Sequence, residues 1–110
     1  MKEKCCPEKP DCCDMRGMLT FQILWLLSKR SMNGQEIAEE LEKRRGTKPT
    51  AGTLYPALKD LRKRGLVEME RKGRNTIYVL SEDGREGLEK ASRYFCNVFG
   101  EIFQEYGEKQ

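Results

Sequence analysis

Apolar residues along this chain follow more than one rhythm, and each rhythm predicts an element. Residues 15–28 read MRGMLTFQILWLLS, with Met18, Leu19, Phe21, Ile23, Leu24, Trp25, Leu26 and Leu27 spread over nearly every face. A helix of that kind cannot lie on a surface, so it is predicted to touch its own domain on one side and something else on the other. Lys29, Arg30, Ser31 and Met32 end it. Asn33 then opens a second helix, with Glu36 three residues on as its reciprocal capping partner. Ile37, Ala38 and Leu41 give that helix one apolar face, and Arg45 with Gly46 stops it. After Thr47, Lys48 and Pro49 comes TAGTLYPALKDLRKRGL, in which Leu54, Ala57, Leu58 and Leu61 recur at i, i+3, i+4 and i+7. Thr50 stands as its N-cap, and Arg64 with Gly65 as its end.

The rhythm then changes to alternation. LVEMER and TIYVL are two short runs joined by Lys72, Gly73, Arg74 and Asn75, the pattern of a β-hairpin with a basic tip. Ser81 caps a final helix, with Glu82 and Asp83 favourable in its first turn. Along it Leu88, Phe95 and Ile102 repeat every seven residues, with Ala91 and Val98 between them, and Phe99, Phe103 and Tyr106 widen the stripe. A seven-residue stripe this broad calls for a partner helix. Helix, helix, helix, hairpin, long helix is a winged helix-turn-helix with a C-terminal extension, a mainly α fold with a small β-hairpin. The expected organisation is a Cys-rich arm over residues 1–14, the winged helix over 15–80, and a dimerisation helix over 81–110.

Pro56 interrupts the third helix, where a proline removes one backbone bond and costs about 3 kcal/mol. Projection at about 100° per residue puts Gly52, Pro56, Lys59 and Lys63 opposite the leucines. The bond Pro56 cannot make would have gone to the carbonyl of Gly52, whose lack of a Cβ lets it relax away from the ring. The resulting face is smooth near the helix start and positive further along.

Charge sharpens this picture. The net charge of +3 hides a middle section, residues 43–74, with eleven Lys/Arg against three acids, or +8; the remainder carries −5. Such a distribution suits a polyanionic partner, although a solvated surface would have the same count. The third helix is then expected to enter a DNA major groove by its N-terminal end, whose free N–H groups favour phosphate. Thr50 and Thr53 are candidate donors to phosphate or base edges, Tyr55 a donor to phosphate, and Lys59 and Lys63 sources of charge. Arg71, Lys72, Arg74 and Asn75 in the wing are expected to reach the neighbouring backbone or minor groove.

GTLYPALKDLRKRGLV, preceded by NGQEIAEEL and followed by GRNTIYVLSEDGREGL, resembles the PadR family of transcriptional regulators. The resemblance implies a dimeric winged-helix repressor that pairs through its C-terminal helices and responds to a small molecule. It points to Thr53 and Tyr55 as DNA contacts, with Lys59 and the wing bases in support. Two departures stand out. Met32 precedes Asn33 and Gly34 where many relatives carry an aromatic, and the C-terminal region is a single helix, as in the compact branch of the family.

With 35% charged residues in 110, the core is expected to be modest, and subunit pairing would bury more of the apolar stripe. The predicted assembly is a homodimer with its recognition helices about one DNA turn apart on an imperfect palindrome. Trp25 reads either as core or as the lining of a pocket at the dimer interface. No signal peptide is visible in residues 1–14, and the longest apolar stretch, residues 18–27, is about half of what a bilayer crossing needs. An intracellular, cytoplasmic protein is expected, whose cysteines are thiols rather than disulfides. Cys5, Cys6, Cys12 and Cys13 are close enough to hold one soft metal ion such as zinc, and Cys96 lies on the last helix. The alternatives are redox switching and an inert reduced arm. No cofactor is required. Catalysis is not expected, since the chain has no histidine, no nucleophile beside a base and no glycine-rich phosphate loop. Two other classes fit part of the pattern: a winged-helix module that docks a protein, and a thiol-rich metal carrier.

Overall fold

A computed structural model describes residues 15–107 of the chain. Its elements run α1 (Met15–Lys29), β1 (Met32–Asn33), α2 (Gly34–Arg45), α3 (Ala51–Lys63), β2 (Val67–Lys72), β3 (Asn75–Leu80) and α4 (Glu82–Gly107). The all-round apolar α1 is the hub, packed against α2, α3, α4 and β3. Leu19, Ile23, Leu26 and Leu27 are buried there against Ile37, Leu41, Leu54, Leu58 and Leu61.

The helix ends are set locally. Asn33 Oδ1 accepts from the Glu36 N–H at 2.8 Å, and Glu36 Oε1 accepts from the Asn33 N–H at 2.9 Å, so the capping box at α2 is complete. Asn33→Ala is expected to cost about 1 kcal/mol, read as a lowered melting temperature. Gly46 closes α2 at φ 87°, a left-handed position that glycine adopts without strain. At α3 the backbone follows the expected N-cap, with the Thr50 carbonyl accepting from Thr53 and Leu54, but the Thr50 hydroxyl does not cap the helix. It bonds the Thr53 hydroxyl at 3.2 Å instead. The other end of α3 turns at Gly65, φ 76°, where the Leu66 N–H reaches back to the Leu61 carbonyl and the Gly65 N–H to that of Arg62.

The hairpin is tighter than the alternation suggested. Lys72 pairs with Asn75, which leaves Gly73 and Arg74 alone as a two-residue turn with Gly73 at φ 61°. The sheet also has a third strand. Met32 pairs with Tyr78 and Asn33 with Ile77, giving the antiparallel order β1-β3-β2. Two residues carry no periodicity, so β1 leaves no pattern to find. At the other end of β3, the Ser81 hydroxyl accepts from the Gly84 N–H at 3.0 Å and donates to the Gly65 carbonyl at 2.6 Å. One hydroxyl thereby caps α4 and ties it to the end of α3.

α4 starts in the core and leaves it. Leu88 is buried within its own chain, so it is not part of a free dimerisation stripe, as the heptad suggested; it belongs to the core. Ala91 and Phe95 are half-buried, and from Val98 onward the stripe faces solvent. No helix among the described residues is long and apolar enough to cross a membrane.

Candidate nucleic-acid interface

Every residue singled out for nucleic-acid contact, from Thr50 to Asn75, is exposed. Pro56 sits inside an unbroken α3 with Gly52, four residues back, also open to solvent. Lys59 and Lys63 form the outward ridge, opposite the buried Leu54, Leu58 and Leu61. Among the described residues no acidic partner neutralises either lysine, whereas Arg64 is paired with Asp60 at 3.0 Å.

The structure separates the two flanks of that ridge. On the α1 side, Thr53, Gly52, Pro56, Ala57, Asp60 and Arg64 share a hollow of about 540 Å³ with Thr20. On the α2 and wing side, Tyr55 borders a cleft of about 380 Å³ with Gly34, Gln35, Met69, Arg74, Asn75, Thr76 and Tyr78. The expected contact residues therefore divide, Thr53 to one flank and Tyr55, Arg74 and Asn75 to the other. The pleat divides the wing in turn. Arg71 follows Val67 and Met69 on the face shared with Tyr78, while Lys72 falls on the opposite face with Glu68 and Glu70.

Tyr55 lies across Gly34 in a close approach that a larger residue there would displace. Its hydroxyl and ring lie where a Cβ at position 34 would stand, with ring carbons at 2.9 Å from that point. Tyr78, opposite Met69 in the hairpin, forms the floor of the cleft and is 7% exposed. Burial, with Tyr55 beside it, raises the Tyr78 phenol above its ordinary value, against the opposite pull of Arg62. The phenol is therefore neutral, and a donor, throughout the physiological range. Neither Gly34 nor Tyr78 stands out in the sequence. A strand tyrosine on the inward side of an alternating run was the one available signal for a polar tip at a core edge.

A second surface lies at the other end of the molecule. Phe21 of α1 packs on Phe95 at 5.5 Å between centroids, and Phe95 in turn meets Phe99 at 4.9 Å and Phe103 at 6.0 Å. Met18, Phe95, Phe99, Ile102, Phe103 and Tyr106 line an apolar groove of about 390 Å³. Trp25 belongs neither to the core nor to this groove. It is 38% exposed, and Lys29 Nζ and Arg44 Cζ lie 4.9 and 5.2 Å from its ring centroid. Arg44 is held in place by Glu40, through a 2.9 Å ion pair and a 2.8 Å bond to the Glu40 carbonyl. Bonds from Arg44 and then Lys43 keep the Glu40 carboxyl below its ordinary value. Cationic neighbours explain why an apolar ring remains at the surface.

Cys5, Cys6, Cys12 and Cys13 lie outside the described residues, and Cys96 is exposed on α4. Among the described residues no group of three or more His, Cys, Asp or Glu is placed to hold a metal ion.

Residues 23–90 match the sequence profile of the Transcriptional regulator PadR-like family. Among solved structures, the complex of H. salinarum RosR with S1 is 30% identical, with 78% of this chain and 80% of that chain covered and a TM-score of 0.68. RosR of the same organism grown from NaBr is 30% identical over 74% of each chain, with a TM-score of 0.67. A PadR family transcription regulator from Clostridium difficile, 22% identical with a TM-score of 0.68 over 82% of this chain and 98% of its own, shares the fold. No curated protein sequence matches the chain.

Proposed function

The chain belongs to the PadR-like family of transcriptional regulators, which are not enzymes, and from that premise we propose that it is a homodimeric repressor of its target promoter. The observation that carries the reading is the unneutralised ridge of Lys59 and Lys63 beside the basic wing, all of it open to solvent. In this reading α3 lies in the major groove of an operator, and the wing lies on the adjacent backbone. The exposed row on α4 pairs two subunits, which sets the recognition helices about one duplex turn apart on an imperfect palindrome. A small molecule, a metal or an oxidant releases the complex. The Cys-rich arm with Cys96 would serve a metal or redox signal, and a small molecule would act at the apolar groove where the paired helices meet.

Lysine and arginine contacts to phosphate release counterions, so binding should weaken steeply with salt. Lys59→Ala and Arg74→Ala are each expected to flatten the log–log salt dependence by roughly one unit. Unchanged slopes in both variants would move the DNA surface elsewhere. Selection of bound fragments from the organism's own genomic DNA gives the operator and, beside it, the regulated gene. Adding zinc or peroxide to the operator complex separates a thiol-borne signal from a small-molecule one.

A further inference from the structure

The cleft between α2, α3 and the wing has a feature that charge alone does not explain. Tyr78 is more than nine-tenths buried, yet its hydroxyl has no hydrogen-bond partner in the described residues. Among those residues no fully buried side-chain oxygen or nitrogen lacks a partner, so the small exposed part of Tyr78 includes this hydroxyl, at the floor of the cleft. A buried ring whose single polar atom emerges unpaired into a hollow is a donor waiting for an acceptor.

The groups around it share the same polarity. Tyr55 brings a second hydroxyl from α3, lying over Gly34. Gln35 stands in the first turn of α2, where backbone N–H groups have no partner within the helix. The Glu36 amide there is already taken by Asn33, and the Glu36 carboxylate is occupied by the Asn33 N–H and by Arg30 at 3.5 Å. Arg74 supplies the positive charge from the wing. Among the described residues no carboxylate lines the cleft.

We propose that this cleft is an oxyanion seat that takes one backbone phosphate of the bound duplex, with the Tyr78 and Tyr55 hydroxyls donating to its oxygens. The assignment rests on the DNA-binding reading and deepens it: Tyr78 becomes a positioning residue that sets the depth and register of α3, while the lysine ridge supplies long-range attraction. Phosphate contacts of this kind orient a protein on the duplex without reading its sequence. Neutral donors in a fixed, partly dry setting are suited to that task because they hold one geometry, whereas lysine side chains accommodate many.

The test is fluorescence anisotropy with a labelled mixed-sequence duplex, on the full chain. Tyr78→Phe keeps the ring and its packing and is expected to weaken binding about tenfold, with a melting temperature within about 2 °C of wild type. Its salt slope should equal that of wild type, because a neutral hydroxyl displaces no counterion. Tyr55→Phe added to Tyr78→Phe should cost less than the product of the two single effects, since both serve one oxyanion. Gly34→Ala, whose Cβ would take the place of the Tyr55 hydroxyl, should reproduce the loss. A single methylphosphonate, moved along the duplex, should find a position that harms wild type and leaves Tyr78→Phe unaffected. If wild type binds the duplex and Tyr78→Phe binds it equally well, the seat is refuted and the DNA-binding reading stands. If wild type binds no duplex at any salt concentration, the DNA-binding reading itself fails. Relief of the wild-type contact by inorganic phosphate alone, with no sensitive methylphosphonate position, would make the seat one for a free anion and overturn the assignment.

Discussion

A chain carrying Phe99→Glu and Phe103→Glu together is expected to sediment as a folded monomer at micromolar concentration and to bind operator DNA at least about a hundredfold more weakly. The two rings are 40% and 60% exposed in the single chain and pack on Phe95 at the edge of the body, outside the buried core, so the core stands without them. They sit in a row with Val98, Ile102 and Tyr106, each about half exposed or more. An unbroken apolar row of that size is rare on a protein that functions alone. Two glutamates placed opposite their counterparts in a paired helix would be desolvated and mutually repulsive, and pairing would be lost. The DNA effect follows from geometry rather than contact. Once one half-site is engaged, the second is bound at an effective concentration set by the dimer, a gain of about 10²–10⁴ that a monomer forfeits. Circular dichroism should show an unchanged core transition. A double variant that remains a dimer, or a wild type that sediments as a monomer, would remove α4 as the pairing element.

Among the glycines of the described residues, Gly84→Ala meets the closest backbone obstacle and is expected to be strongly destabilising. A Cβ there would overlap the carbonyl oxygen of Leu66 and come within 2.7 Å of Leu80 Cδ1. The first obstacle is backbone, and it cannot swing aside. That carbonyl also accepts from the Ser81 N–H at 3.1 Å, so relief would move the start of α4 and with it the Ser81 cap. Overpacking of this kind typically costs about 1–3 kcal/mol, and loss of the cap adds about 1. In a domain of this size the sum corresponds to a fall in melting temperature of roughly 10 °C or more. Gly87→Ala is the matched control. Its nearest neighbour is Leu66 Cδ2 at an ordinary 3.8 Å, and alanine favours the helix, so a gain of about 0.5–1 kcal/mol is expected. If both variants melt together, the close approach at Gly84 is not what fixes α4 to the body.

Much of the architecture was legible because its signals are short-ranged. The Asn33 and Glu36 box, the left-handed Gly46 and Gly65, and the 3.6-residue rhythm of α3 each need only a few neighbouring positions to act. The face of α3 that bears Pro56 and Lys59 was likewise given by rotation alone. Where reading failed, a rotation was known but its surroundings were not. Leu88 and Phe95 share a stripe, yet α4 buries the first in its own core and half-exposes the second, because the helix outlasts the body it packs on. Trp25 could be read from its apolar neighbours as core or as interface lining; it is not core, and Arg44, held by Glu40 on α2, gives it a charged cover at the surface of the single chain.

From the sequence alone came the helices, the hairpin, the basic middle and a family resemblance, since each is encoded by residues within a turn or two of one another. Only the tertiary structure decided that Gly34, Tyr55 and Tyr78, separated by 21 and 23 positions, meet in one cleft, and that Thr53 stands on the opposite flank. The physical reason is that a side chain's direction follows from its own helix or strand, whereas what it faces depends on how distant elements pack, and here α1 at the hub sets that packing.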